Sequence, residues 1–366
     1  SLHTVVASAC LIQPNEGDPM KFGIMNLLPF ADGKSSADIF RETLEETAYA
    51  EELGFDSVWL AEHHFSRYGI LGNPLVLGAA IAERTKRIRI GTAVVIAPFY
   101  DPIRLAEDAA LVDALSGGRL DLGIGRGYQP IEFNGFGISQ EEASARTEEI
   151  IDILKLAWAE GSFSYSGKYY NYNDLTVYPK PVQQGGVPIW RAAVSQNTFN
   201  AVGQTGTPIL TSPNFTPLPI VRKQYNVYRQ ALQDGGFDVE SYDFPMMQQV
   251  YVGTSEQDAY DTPRKHSEWF YKMLGSLVPG EAGKAVKGYE GYETLKANIA
   301  DIDYDQIVAE GANFGTSASV NEKIRVLRDD IGVSHYIGWF NVGGLDHKKV
   351  MESMKRFADD VMPNFR

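Results

Sequence analysis

The stretch FDSVWLAEHHFSRYGILGNP, residues 55–74, decides the fold. Ser57–Ala61 is an apolar run short enough for a buried strand, and it ends in Glu62-His63-His64-Phe65. Asn73-Pro74 then opens a helix, with Asn as the cap and Pro in the first turn, where a missing N–H costs nothing. Strand, polar residues at the strand's C-terminal end, then helix: this is one unit of a βα barrel. In such barrels the C-terminal strand ends carry the chemistry. Side chains alternate along a strand, so only one of His63 and His64 faces the barrel mouth.

The same rhythm extends in both directions. Strands are expected at Lys21–Asn26, Ile88–Ala97, Arg119–Gly125, Pro188–Ala193, Pro208–Ser212, Met246–Gly253 and His335–Val342. Helices are expected at Ala37–Leu53, with Gly54 past its end, at Arg104–Leu115, from a capping box at Ser139–Glu142 to about Ala159, and from about Ser195. Others follow at Ile220–Leu232, up to about Leu277, from a second capping box at Ser319–Glu322, and at Lys348–Val361. Two stretches break the alternation. Phe163–Pro181 reads as an inserted hairpin, and Val278–Asn313 as a lid or disordered loop too long for an ordinary connector. The fold class is therefore α/β: a single (β/α)8 TIM barrel over 20–366, with insertions after the fourth helix and the seventh strand.

Composition narrows the function. A net charge of −14 disfavours long-range attraction to nucleic acid or anionic membrane, so an anionic ligand needs a local cluster of donors. The single cysteine, Cys10, permits no disulfide within the chain and no cysteine-built metal site. No apolar run approaches the roughly 20 residues of a membrane span. Residues 1–19 read as an upstream or vector-derived leader, with Met20 as the natural start, and the protein reads as cytoplasmic.

Four strand ends offer candidate chemistry. A histidine at the end of the second strand suits proton transfer near neutral pH. The adjacent pair is a poor chelate, and the other histidines lack metal-ligand spacing, so no metal is expected. Gly123–Gly127 (GIGRG) ends the fourth strand, where Arg126 either forks a phosphate or merely follows a turn. Ser195 and Thr198 start a helix, either as an ordinary cap or as a phosphate site, and Arg146 offers a second positive charge. Small residues end the third strand at Gly91–Val94, where a flat ring can lie or a strand can simply pack.

Taken together, LAEHHF (60–65), GILGNP (69–74), IGTA (90–93), PIRLAED (102–108), LSGGR (115–119) and GIGRG (123–127) resemble the bacterial luciferase-like flavin monooxygenases, in that family's order. The ending from Glu352 to Pro363 is similar as well. The resemblance implies a TIM barrel that binds reduced FMN, supplied by a separate flavin reductase, and uses O2 to oxidise an aldehyde, ketone or similar acceptor through a flavin C4a-peroxide. It implies His63 as the catalytic residue, with Arg126, Ser195, Thr198 and Arg146 on the flavin phosphate. It also implies a non-proline cis peptide at Ala93-Val94 against the flavin ring, and a homodimer through the second and third helices. His64 and Tyr128 are expected to line the substrate pocket. Two departures stand out: Gly125 where luciferase has a reactive cysteine, and Val194 where it has an acidic residue. The rival readings are a hydride-transferring oxidoreductase using the deazaflavin F420, a flavin carrier without turnover, and a metal-dependent hydrolase.

Overall fold

The computed structural model describes residues 19–212, 216–280, 288–289 and 292–366. The expected leader, with Cys10, lies outside them apart from Pro19, as do parts of the segment expected to form a lid. In chain order the elements are β1 (Lys21–Asn26), α1 (Ser36–Leu53), β2 (Ser57–Leu60), α2 (Pro74–Arg84), β3 (Arg89–Thr92), β4 (Val95–Ile96), α3 (Pro102–Ser116), β5 (Leu120–Gly125) and α4 (Pro130–Phe136). Then come α5 (Ala143–Trp158), β6 (Phe163–Ser166), β7 (Asn171–Leu175), β8 (Ile189–Ala192), α6 (Gln196–Gln204), β9 (Ile209–Leu210) and α7 (Leu218–Asp234). The chain continues with β10 (Pro245–Val252), α8 (Glu256–Leu277), α9 (Tyr292–Ala300), α10 (Tyr304–Gln306), β11 (Ala312–Gly315), α11 (Ser317–Val326), β12 (His335–Trp339) and α12 (His347–Asp360).

One curled parallel sheet runs β11-β10-β12-β1-β2-β3-β5-β8-β9, with β4 pairing β5. Register is set by partners such as Met25 with Trp59, Trp59 with Gly91, and Leu122 with Ile189. The ends approach each other: the Met247 N–H on β10 donates to the Thr211 carbonyl just past β9, at 3.1 Å. Trp59, Trp190, Leu210, Met247 and Ile337 come from five different strands yet form one buried cluster. Only the interior of the barrel brings such residues together, so they form the floor beneath its mouth. The amphipathic helices bury their apolar faces against the outside of the sheet in a separate, larger core.

Several expectations need correction. The third strand is not continuous from 88 to 97; it breaks at Ala93-Val94, whose peptide bond is cis. Ser139 makes no side-chain cap, and α5 begins only at Ala143, after a single tight turn. The helix expected to start with a cap at Ser319 starts instead at Ser317, and its cap is Thr316, which accepts the Ser319 N–H. Strand β11 lies at the end of the segment expected to stand outside the repeat, and α4 was not anticipated at all. The 163–181 insertion is a hairpin, with β6 antiparallel to β7.

The bottom of the barrel holds a buried polar group. His335 Nε2 lies 2.9 Å from Ser57 Oγ, which also accepts the Trp59 indole N–H at 2.9 Å. Burial lowers the pKa of His335 below its ordinary 6.5. Its folded value lies below its unfolded value, so its contribution to stability is full above about 6.5 and declines as pH falls through the folded value. His335→Gln keeps a hydrogen-bonding group there without a titrating one. The stability difference between wild type and this variant, followed by chemical denaturation from pH 7.5 down to about 5, is expected to shrink as the solution is acidified. A difference that stays flat with pH would remove His335 from the acid sensitivity.

Candidate active site

The mouth is built where β2, β3, β5 and β8 end side by side. At the end of β2 the chain turns so that the His63 N–H donates to the Leu71 carbonyl at 3.1 Å. The His63 ring is almost buried. It meets the Tyr68 ring edge-on at 4.8 Å and the Tyr128 ring at 6.3 Å. His63 Nδ1 lies 3.0 Å from Glu132 Oε1, and the His64 N–H donates to the same oxygen at 3.0 Å. Nε2 has no hydrogen-bond partner among the described residues. Burial raises the Tyr68 and Tyr128 phenols well above their usual values, so both stay neutral.

His64 goes the other way. Its Nε2 lies 2.9 Å from Glu62 Oε1, and its ring packs edge-on to Phe99 and Phe136. Glu62 is buried and also accepts the Tyr100 hydroxyl at 2.9 Å and the Ile96 N–H at 3.1 Å. Burial raises its pKa. The structure therefore separates the two histidines, and His64 is not brought into the group around His63. Tyr128 is: it borders the His63 ring.

The Ala93 N–H donates to the Leu60 carbonyl at 2.7 Å, which sets the Ala93-Val94 turn beside the end of β2. Both residues are half-exposed and rest on the barrel-floor cluster. A Cβ at Gly125 would lie 2.5 Å from Val94 Cγ2. A side chain where the resemblance places a cysteine would therefore require Val94 to move.

Next to this bed lie the expected phosphate residues. Ser195 caps α6: its Oγ accepts the Thr198 N–H at 3.3 Å and lies 2.9 Å from Thr198 Oγ1. Val194 through Asn197 are exposed, so the helix N-terminus opens to solvent. Arg126 is engaged by the second insertion. Its Nη2 donates to the Gly288 carbonyl at 2.6 Å, its Nη1 donates to Ser144 Oγ at 3.0 Å, and it sits 4.1 Å over the Tyr289 ring. The Tyr289 hydroxyl donates to the Gly127 carbonyl at 3.0 Å, and Tyr292 stacks on Tyr128. Arg146 pairs with Glu142 at 2.9 Å and lies 4.5 Å over Tyr169, from the turn of the inserted hairpin. Both insertions thus reach the two arginines.

Sequence reasoning missed Glu132 and Gln129. Glu132 stands in the first turn of α4, and the signal for that helix was present: Pro130 at its first position and Gly137, φ 67°, just past its end.

These donors suit a flat, phosphate-bearing cofactor. Two hydroxyls at an open helix N-terminus past β8, with Arg126 just past the neighbouring strand β5, match a phosphate. A half-exposed bed over an apolar floor matches a planar ring.

The profile of the luciferase-like monooxygenase family matches residues 20–335. The chain is 27% identical over 359 residues to the oxygenase component of the flavin-dependent trigonelline monooxygenase of Acinetobacter baylyi, covering 94% of this chain and 96% of that one. The crystal structure of the monooxygenase RslO1 from Streptomyces bottropensis is 30% identical, with a TM-score of 0.84, and covers 95% of this chain and 100% of its own. The oxygenating constituent of 3,6-diketocamphane monooxygenase from Pseudomonas putida, solved with FMN, shares the fold at 20% identity and a TM-score of 0.78, covering 95% and 99%. No helix among the described residues is long and apolar enough to cross a membrane.

Proposed function

The chain belongs to the luciferase-like monooxygenase family and is a flavin-dependent monooxygenase, and from that premise we propose that it uses reduced FMN and O2 to oxidise a small organic acceptor such as an aldehyde or ketone. Bound flavin supplies two electrons, so that one oxygen atom goes to the acceptor and the other leaves as water. The observation that carries the reading is the grouping of His63, Arg126 and the open α6 N-terminus at the ends of β2, β5 and β8, on either side of the Ala93-Val94 bed.

In this reading Arg126, Arg146, Ser195 and Thr198 hold the phosphate, and Ala93 and Val94 support the ring. His63 presents Nε2 to the reacting centre and moves a proton there. Tyr68 and Tyr128 wall the histidine, and the strap at Gly288-Tyr289, with Tyr292, helps exclude water from a site where water would divert the reaction. A separate reductase delivers the reduced FMN. The relative from Acinetobacter is named as an oxygenase component, which supports a two-component arrangement. The test supplies reduced FMN from an unrelated reductase, under isotopically labelled O2, to a panel of aldehydes and ketones. One labelled oxygen in the product is expected. Product formed without oxygen, or with the deazaflavin F420 alone, would overturn the reading.

A homodimer through α2 and α3 is part of the same proposal. Val76 on α2 and Leu111 and Leu115 on α3 are 69%, 49% and 44% exposed. Large apolar side chains on two adjacent helices form a surface that association would bury. Sedimentation is expected to show a dimer, and Leu111→Glu is expected to shift it toward monomer; an unchanged dimer in that variant would move the interface elsewhere.

A further inference from the structure

We propose that Glu132 is a positioning residue that keeps the His63 ring proton on Nδ1 and so leaves Nε2, which has no partner among the described residues, as a proton acceptor. The proposal rests on the reading of His63 given above and adds a residue that the sequence did not suggest.

The geometry is that of a carboxylate–imidazole pair. Glu132 is fully buried, and its Oε1 lies 3.0 Å from His63 Nδ1 while accepting the His64 N–H. Gln129, also fully buried, has Nε2 at 3.1 Å from the same Nδ1 and donates to the Tyr128 hydroxyl at 3.3 Å. One ring nitrogen cannot both donate to Glu132 and accept from Gln129. A bond to a carboxylate is roughly twice as strong as a neutral one, so the proton belongs between Nδ1 and Glu132. A half-turn of the Gln129 amide removes the conflict, because oxygen and nitrogen exchange places. Gln129 Oε1 and Glu132 Oε2 are both buried without hydrogen bonds.

The bland alternative is that Glu132 only ties α4 to the loop after β2. A carboxylate in a first helical turn is favourable in any case. The two readings differ in what happens to the ring. A tie leaves the tautomer free, whereas a positioning carboxylate fixes it and later stabilises the charged ring when Nε2 takes a proton. Such support does not depend on the acceptor substrate, because Glu132 is buried behind the histidine.

The experiment is nitrogen NMR of histidine-labelled apo-protein, with the His63 signals identified by their loss in His63→Gln. Wild type is expected to show His63 protonated on Nδ1 in its neutral form, and Glu132→Leu, which removes the acceptor, to move the proton to Nε2. An Nε2-protonated ring in wild type, or the same tautomer in both proteins, would overturn the proposal. Glu132→Gln retains shape and loses charge, so it stands in if the leucine variant does not fold. Its turnover is expected to fall about 10- to 100-fold with FMN affinity within about threefold, and Glu132→Asp is expected to recover part of the loss. Wild-type turnover in Glu132→Gln would also overturn the proposal. The NMR result stands even if the flavin reading fails, because it needs neither cofactor nor substrate.

Discussion

His63→Ala is expected to lower turnover by about 100-fold or more, within the range of about 10²–10⁴ for a positioned acid–base group, while leaving FMN affinity nearly unchanged. The structure explains why the two quantities separate. The imidazole is held from behind by Glu132 and edge-on by Tyr68 and Tyr128, and it contacts none of Arg126, Arg146, Ser195 or Thr198. Removing it takes away a proton acceptor and no phosphate donor. It also leaves Glu132 buried without its partner, so the variant loses some stability as well. Single-turnover measurements at saturating reduced FMN read the chemical step, and equilibrium titration reads binding. A variant that turns over at the wild-type rate would take His63 out of the mechanism.

The sequence made the barrel legible because each unit carried its own local signals. Pro74 and Gly54 punctuate helices where periodicity alone is ambiguous, and the apolar runs of β2 and β5 are short and sharply bounded. The divergence of His63 and His64 was not legible from strand alternation, since both lie past the end of β2 at Leu60. What was not legible depends on contacts between distant segments. Glu132 lies 69 residues from His63, in a seven-residue helix too short to announce itself by periodicity. The strap over Arg126 comes from 162 residues away. Likewise β11 has only four residues, and its pairing with β10 rather than its own sequence makes it a strand. His64 was expected in the pocket, whereas its ring lies against Glu62, Phe99 and Phe136.

Arg126→Ala is expected to weaken FMN by about tenfold to a hundredfold and riboflavin by less than about threefold, since a hydrogen-bonded charge pair contributes roughly 1.5–3 kcal/mol. Riboflavin lacks the phosphate, so the comparison isolates the anion. The structure adds a condition to the size of the effect. Arg126 already donates to the Gly288 carbonyl and to Ser144, and it stacks on Tyr289. A phosphate therefore gains only the difference between its own hydrogen bonds and those that Arg126 gives up. Two charged partners outweigh a carbonyl and a hydroxyl, so the sign is secure, but the loss falls toward the lower end if the strap must open. Tyr289→Phe, which removes the hydroxyl that anchors the strap to Gly127, separates the two contributions. It is expected to leave riboflavin unchanged and to bring FMN affinity up, because Arg126 is then released at lower cost. If Arg126→Ala weakens FMN and riboflavin equally, the arginine serves the ring or the strap instead, and the phosphate belongs to Arg146 and the α6 N-terminus.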